Sequence, residues 1–486
     1  MFSDIFTLPR LRQLEHLAVN KNINLMAQAA QVIFNWITHY YPKAHVLMAV
    51  GTGNNGGDAL CCAKLLAQHN IKVTLWVPET PKTDESIQAF NECKQLNLPV
   101  IEQFNQLPEL PDLIVDGFFG IGLNRNLDQN WQDRINQINR CGIDVLAIDT
   151  PSGLDAYRGI IYGAAVKAHT TLTFICAKPG LHTNEGVDQS GKVFVAALNI
   201  PNAIIPESSG TIAPSQEASQ LKRVANCHKG TFGSIGVIGG AKSMLGAAIL
   251  CARTSLYCGA GKVYVGTLGD YQVDPIAPEL MFSTAEHILE QDIQVMAIGP
   301  GLSVQDRAKA CLEKALGLPI KKVLDADALN LISQNHDLED YFTEQNNTEI
   351  ILTPHPTEAA RLLKTSTSLI QANRVKAAQQ LAHKFNATVI LKGCGSIIAR
   401  PDGFYRVNTS GSATLASGGQ GDVLTGICAA LLGQGLDAFE AASISAYVHG
   451  LAGEHYARKK GQIGLSASKT IEIIKHYLNK LIEQEN

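Results

Sequence analysis

The chain has 486 residues, too many for one ordinary hydrophobic core, and size alone suggests about two to four domains. A formal net charge of -4, with 17% charged and 45% hydrophobic residues, describes a soluble globular protein and argues against a nucleic-acid binder, a disordered chain or a membrane protein. Eleven scattered cysteines without a C-x-x-C, and fourteen histidines without an H-E-x-x-H, argue against a disulfide framework, a zinc site or a tightly held transition metal, and leave magnesium open.

The stretch from Met1 to Glu15 carries Asp4, Arg10 and Arg12 among its apolar residues, so no signal peptide is expected and the protein should stay in the cytosol. From about Leu11 to Trp36 the apolar spacing predicts helices. Ala44 to Val50 reads as a strand, Gly51 to Asp58 as a loop, Ala59 to Gln68 as a helix and Ile71 to Val77 as a second strand. This is a βαβ unit with its glycine loop at the carboxyl end of a strand, where doubly wound sheets bind ligands. Gly51, Gly53 and Gly56 satisfy G-x-G-x-x-G and Glu79 stands where a ribose-binding acid is expected, which taken alone says NAD-dependent dehydrogenase. Yet the loop adds Asn54, Asn55 and Asp58 to Gly56 and Gly57. Asn-Asn-Gly-Gly also reads as a plain tight turn, because both residue types tolerate positive φ.

Two further strands end in acids. Asp112 to Asp116 runs into Gly117, Phe118, Phe119 and Gly120, and Asp144 to Asp149 runs into Thr150, Pro151, Ser152 and Gly153. Each acid alone can be a turn or helix cap. Parallel strands place their carboxyl ends along one edge, so Asn55, Asp58, Asp116, Asp149 and Ser152 can converge, with Asp149 available as a general base and Asn55, Asp116 and Ser152 as oxygen donors to a hard cation.

The loop Gly53 to Asp58, the segment Asp116 to Leu123, Asp149 to Asp155 and Thr173 to Leu181, in this order, resemble the NAD(P)H-hydrate epimerase family. That resemblance implies a Rossmann-like three-layer domain that interconverts the R and S forms of hydrated NADH and NADPH. It implies hydrate contacts from Asn54, Asn55, Gly56, Gly57, Asp58, Gly120, Ile121, Gly122, Leu123, Asn124, Arg125 and Asn126. It also implies potassium (K+) held by Asn55, Asp116 and Ser152, and Asp149 as the catalytic acid. The family commonly has Gly-Thr-Gly at Gly120-Ile121-Gly122 and Asp-Thr-Gly at Tyr157-Arg158-Gly159.

From Pro206 to Gln220 the apolar periodicity gives way to Ser, Pro and Gly, which places domains at residues 1–207 and 221–486 with a linker at 208–220. Beyond it, Ser234 to Gly240 reads as a strand ending in glycines, and Gly246 to Leu250 opens a helix of small residues. Strand patterns recur around Val263, Ala297, Val323, Ile351 and Ile390, separated by helical ones, which makes a second α/β domain. Lys392, Gly393, Cys394, Gly395 and Ser396 form a hairpin with a lysine and backbone donors at its mouth, able to take a nucleotide phosphate. His355, between two prolines at a strand end, is structural or donates to a ligand. Ser417-Gly418-Gly419-Gln420-Gly421-Asp422 opens an apolar helix whose N–H groups favour phosphate. A carboxylate there is repelled by phosphate, so Asp422 caps the helix, holds a cation or deprotonates a hydroxyl.

Gly299-Pro300-Gly301, Asp325 to Asn330, Thr353 to Glu358 and Ser417 to Gly426 resemble the ribokinase-like ADP-dependent NAD(P)H-hydrate dehydratases, and with the first half nearly the whole chain resembles the bifunctional NAD(P)H-hydrate repair family. The resemblance implies a C-terminal ribokinase-like α/β domain that phosphorylates the S hydrate from ADP with Mg2+ and releases phosphate, AMP and NAD(P)H. It assigns Asp422 to the hydroxyl. Gly421 and Lys392 to Ser396 go to the nucleotide, Ala248, Gly301 and His355 to the hydrate pocket, and Gln420 to no role. No nucleic acid or membrane partner is expected, and association into a homo-oligomer is left open. A dehydrogenase using Gly51 to Gly56, or a hydroxymethylpyrimidine-type kinase fused to a binding domain, are the competing readings.

Overall fold

A computed structural model describes residues 3–212, 214, 217–270, 273–344 and 349–483. Along the chain these fall into two units, Met1–Ile212 and Ala213–Asn486. The first carries the strands β1 (Asp4–Ile5), β2 (Val46–Val50), β3 (Val73–Trp76), β4 (Val100–Ile101), β5 (Leu113–Gly117), β6 (Asp144–Ile148), β7 (Thr170–Phe174), β8 (Lys192–Ala196) and β9 (Gly210–Thr211). A parallel sheet runs in the order β4-β3-β2-β5-β6-β7-β8.

Strand period decides the layers. Val46, Met48 and Val50 pack with Val115 and Leu146 against Leu11, Leu14, Ile33, Ile37 and Leu60 of the helices Leu8–Asn20, Leu25–Tyr40 and Asn54–Gln68. The alternate residues Leu47, Ala49, Ile114 and Val145 pack with Trp76, Phe118, Trp131, Ile135 and Ile138, the last three on or beside the helix Gln129–Arg140. A sheet covered on both faces explains why β2 and β5 are buried along their whole length. Chain order reverses between β2 and β5, so the crevice above their carboxyl ends is the switch point of this sheet.

The first glycine loop is shorter than its sequence suggests. The helix begins at Asn54 rather than Ala59, and no residue from Asn54 to Gly57 has positive φ. The glycines serve close approach instead: a Cβ on Gly56 would stand 2.1 Å from the carbonyl oxygen of Gly51.

The stretch expected to be a linker contains β9, paired antiparallel with β1, and a 3-10 helix at Glu217–Leu221; residues 213, 215 and 216 lie outside the described residues. The second unit carries β10 (Ser234–Gly239), β11 (Lys262–Thr267), β12 (Met281–Thr284), β13 (Val295–Ile298), β14 (Lys321–Leu324), β15 (Ile350–Leu352), β16 (Thr388–Leu391), β17 (Ile397–Ala399) and β18 (Tyr405–Val407). Parallel pairing links β12-β11-β10-β13-β14-β15-β16, and β17 and β18 follow antiparallel, so the expected hairpin at Lys392 to Ser396 is present. Ile235, Val237, Val263, Val265, Val323 and Ile390 turn to one face and meet Val423, Ile427 and Leu431 of the helix Gln420–Gly433. Here the order reverses at β10, and the crevice between β10 and β13 is the second switch point. No helix among the described residues is long and apolar enough to cross a membrane.

Candidate functional sites

In the first unit the switch point gathers most of the expected residues in two adjoining groups. Asp116, at the end of β5, is fully buried and accepts from Ser152 Oγ at 2.6 Å, Ser152 N at 2.8 Å and Phe118 N at 3.3 Å. Burial pushes its carboxyl up to about 6 although those three donors pull it down, and no cationic side chain among the described residues lies beside it. Asn55 Nδ2 donates to Phe119 O at 3.1 Å, Phe119 N donates to Ser152 Oγ at 2.8 Å, and a Cβ on Gly120 would sit 3.3 Å from Asn55 Oδ1. A buried carboxylate ringed by hydroxyl, carbonyl and amide oxygens is a donor set suited to a hard cation, which would supply the missing charge.

The second group surrounds Asp149. This residue has φ of 62°, a left-handed conformation uncommon for a side chain other than glycine, fixed by its N–H donating to Leu172 O at 2.8 Å. Its Oδ1 accepts from Lys178 Nζ at 2.8 Å, Thr173 Oγ1 at 3.1 Å and Phe174 N at 3.2 Å. Lys178 is 1% exposed and also donates to Phe174 O at 2.5 Å. Asp58, on the first turns of the helix Asn54–Gln68, has its carboxyl held well above the usual range, by burial first and then by the charges of Asp149 and Glu15. A carboxyl raised by burial and another ion-paired to a buried lysine are the kind of pair that can divide acid and base roles.

Lys178 lies within the Thr173 to Leu181 motif, and the sequence gives it no separate role. Its signal is a lysine directly after the apolar run Phe174 to Ala177 and before Pro179, since a lysine is almost never fully buried unless paired. Gly56 and Gly57 are buried beside Asn55, whereas Asn54, Gly122, Asn124, Arg125 and Asn126 are exposed. Among the described residues no hydrogen bond joins Asn124, Arg125 or Asn126 to these acids. Ile121 packs on the core and Leu123 N–H closes a turn to Gly120 O at 3.3 Å.

In the second unit Asp422 is the third residue of the helix Gln420–Gly433, and no side-chain cap bond closes that helix start, so capping does not account for it. Gly419 takes the preceding position with φ of 86°, which favours glycine. Burial pushes the Asp422 carboxyl up to about 7, the charge of Asp325 adds to this, and Lys392 opposes it. Lys392 turns inward: its Nζ meets Asp325 Oδ1 at 2.7 Å, and Thr425 Oγ1 donates to Asp325 Oδ2 at 2.8 Å. A Cβ on Gly421 would lie 3.4 Å from Lys392 Nζ, so the helix start, the lysine and both acids share one pocket.

Gly393, Cys394, Gly395 and Ser396 form the hairpin turn, closed by Gly393 N donating to Ser396 Oγ at 3.3 Å. Buried Arg374 props it from below through Leu391 O at 3.2 Å and Lys392 O at 3.3 Å. Ala248 and Gly301 both border the Gly240–Ala241 turn at the switch point: a Cβ on Gly240 would lie 3.2 Å from the Ala248 methyl, and Ala241 N–H donates to Gly301 O at 2.7 Å. His355 is an N-cap, its Nδ1 accepting from Thr357 N at 3.1 Å and Glu358 N at 3.4 Å, which leaves the proton on Nε2. Glu358 is buried, and burial pushes it up to about 7. The signal for Asp325 in the sequence is its place directly after β14, as Asp149 directly follows β6. Gln420, given no role, is a buried hub: its Nε2 donates to Thr470 Oγ1 at 3.0 Å and Ser417 Oγ at 3.2 Å, and His449 Nε2 lies 3.1 Å from its Oε1.

Comparison with known proteins agrees with this division. Residues 22–180 match the family described as YjeF-related protein N-terminus, and residues 235–476 match NAD(P)H-hydrate dehydratase. The bifunctional NAD(P)H-hydrate repair enzyme Nnr of Coxiella burnetii is 34% identical over 477 residues, covering 94% of this chain and 96% of that protein. Its counterpart in Escherichia coli is 34% identical over 475 residues, 95% of this chain and 90% of that one. The crystal structure of ADP/ATP-dependent NAD(P)H-hydrate dehydratase from Bacillus subtilis, co-crystallised with ATP/Mg2+, superposes with a TM-score of 0.50 at 27% identity, covering 55% of this chain and 97% of that one. The chain therefore belongs to the bifunctional NAD(P)H-hydrate repair enzyme family, with an epimerase half followed by a dehydratase half.

Proposed function

We propose that Asp422 is the base of the dehydratase half. The observation that carries this is a carboxyl at a glycine-rich helix start that caps nothing, is half-buried, and has its proton affinity pushed up to about 7. The hydroxyl of the S hydrate gives its proton to Asp422 as its oxygen bonds to the terminal phosphorus of ADP and AMP departs. Loss of phosphate and a ring proton then restores the double bond. Gly421 and the turn from Lys392 to Ser396 face the nucleotide, and Lys392, held by Asp325, is placed for its phosphates. Ala248, Gly301 and His355 bound the hydrate. Asp325 and Asp422 are the carboxylates in this pocket that would hold Mg2+, which would supply charge neutralisation for the transferring group.

In the epimerase half Asp58, its carboxyl raised by burial, gives a proton to the hydrate hydroxyl, which leaves as water while the ring nitrogen lone pair forms a C=N bond. Water then adds to the other face and gives its proton to Asp149, aimed by Lys178 and Thr173, so no net proton is gained or lost. Asn55, Asp116 and Ser152, with the carbonyl of Phe119, would hold K+, which would compensate the buried charge. Asn54, Gly56, Gly57 and Gly120 to Asn126 form the rim that meets the hydrate. Eleven reduced thiols suit a cytosolic protein. Asp422→Asn keeps the shape and removes the proton acceptor, so ADP should bind nearly as before while dehydration is lost. A fully active variant would remove Asp422 from the mechanism.

A further inference from the structure

At the carboxyl edge of the second sheet lies a cavity of about 540 Å3 that the chemistry above leaves unused. Its size suits part of a small-molecule ligand. Lys242, Thr267, Gly269, Asp270, Thr284 and Arg307 line it.

Its wall is continuous with the hydrate pocket. Gly269 N–H donates to Gly240 O at 3.2 Å, and Gly240 on its other side lies against Ala248. Ala241, which precedes Lys242, donates to Gly301. A ligand whose reacting ring lies at Ala248 and Gly301 has this cavity directly beside it. A hydrated dinucleotide has far more to place than a ring.

The side chains sort by chemistry. Glu286 aims Arg307, accepting from Nε at 2.7 Å and Nη2 at 3.0 Å, while Nη1 donates to Leu268 O at 2.8 Å. That commits three of the five donors of a guanidinium and leaves two. Among the described residues, Lys242 and Asp270 make no hydrogen bond or ion pair. Glu286 offsets the charge of Arg307, so the cavity is left with one ammonium, two directed N–H groups, one carboxylate and the hydroxyls of Thr267 and Thr284. The cationic donors suit phosphate oxygens, and the carboxylate suits a ribose hydroxyl and would repel a bare phosphate group placed on it.

We infer that this cavity binds a phosphorylated ribose of the hydrated dinucleotide, with Lys242 and Arg307 on phosphate and Asp270 on ribose hydroxyls. The inference rests on the dehydratase reading of this half. The phosphate comes from the diphosphate that both hydrates carry or from the 2′-phosphate that only NADPH hydrate carries.

The test is steady-state kinetics of the full-length protein and Lys242→Ala, with ADP and magnesium, on the S hydrates of NADH and NADPH. Lys242 is exposed, so the variant folds as the parent does. The KM for hydrate should rise about tenfold with kcat and the KM for ADP unchanged. A rise for both hydrates assigns the diphosphate; a rise for NADPH hydrate alone assigns the 2′-phosphate. Unchanged KM for both hydrates in an active enzyme, or a rise in the KM for ADP alone, overturns the inference. A parent protein that dehydrates neither hydrate would overturn the dehydratase reading, and this inference with it.

Discussion

Asp422 links burial to both rate and stability. Its carboxyl titrates near the usual Asp value in the unfolded chain and at about 7 in the folded one. As a base it must be deprotonated, so dehydratase kcat should climb with pH and level off above about 7. Glu358→Gln separates the candidates, because Glu358 is also pushed up to about 7 and its removal should leave that limb in place. For stability the sign is opposite to the common acidic case. Between the two values the folded state keeps a proton that the unfolded state has lost, so stability falls as pH rises through that window. Asp422→Asn should therefore raise the melting midpoint at pH 8 by roughly 2–4 °C per kcal/mol relieved, and by less at pH 5. Calorimetry of the two proteins at both values checks this. At this scale the sequence was legible where chemistry clashed with place, as with an acid beside phosphate-binding amides. It was silent on Lys178 and Glu358, whose roles depend on burial by distant elements.

Two helix starts position the chemistry, and each depends on one feature. At Asn54 it is the approach of Gly56 to Gly51, so Gly56→Ala should destabilise the epimerase half by about 1–3 kcal/mol and lower its activity. Gly53→Ala, where an added Cβ meets nothing within 4 Å, should change little, and thermal melts of the pair give the contrast. At Gln420 it is the buried hub joining Ser417, Thr470 and His449. Gln420→Ala leaves the His449 N–H without its acceptor, so it should cost about 1–3 kcal/mol by denaturant unfolding and slow dehydration without touching epimerisation. The strands around both starts are legible from short apolar runs, but the apolar pattern places the first helix start at Ala59, five residues after the observed Asn54. Its opening glycines look like a turn until the strand they pack on is known. The edge strand β12, only partly buried, offers only the short run Leu280-Met281-Phe282 before Ser283 and Thr284.

Across the whole chain the same construction occurs twice: a parallel sheet, a reversal of strand order, and glycines with acids above the crevice. Glycine and acid at successive strand ends made both crevices legible in the sequence, because parallel connections bring such ends to one edge whatever their separation. Strand order was not legible, since nothing local tells which neighbour a buried strand takes. The two chemistries belong to separate units, so each should be lost alone. Asp149→Asn should abolish epimerisation and spare dehydration, and exchanging potassium for lithium should slow epimerisation only, read by the rate of R to S conversion.

The most direct test of two consecutive sites follows the return of reduced-nicotinamide absorbance when mixed R and S hydrate is incubated with the protein, ADP, potassium and magnesium. Complete recovery is the predicted result, with Asp149→Asn stopping at the S fraction and Asp422→Asn giving none. Recovery that stops at the S fraction in the unaltered protein would contradict the epimerase assignment, and no recovery with either ADP or ATP would contradict the account as a whole.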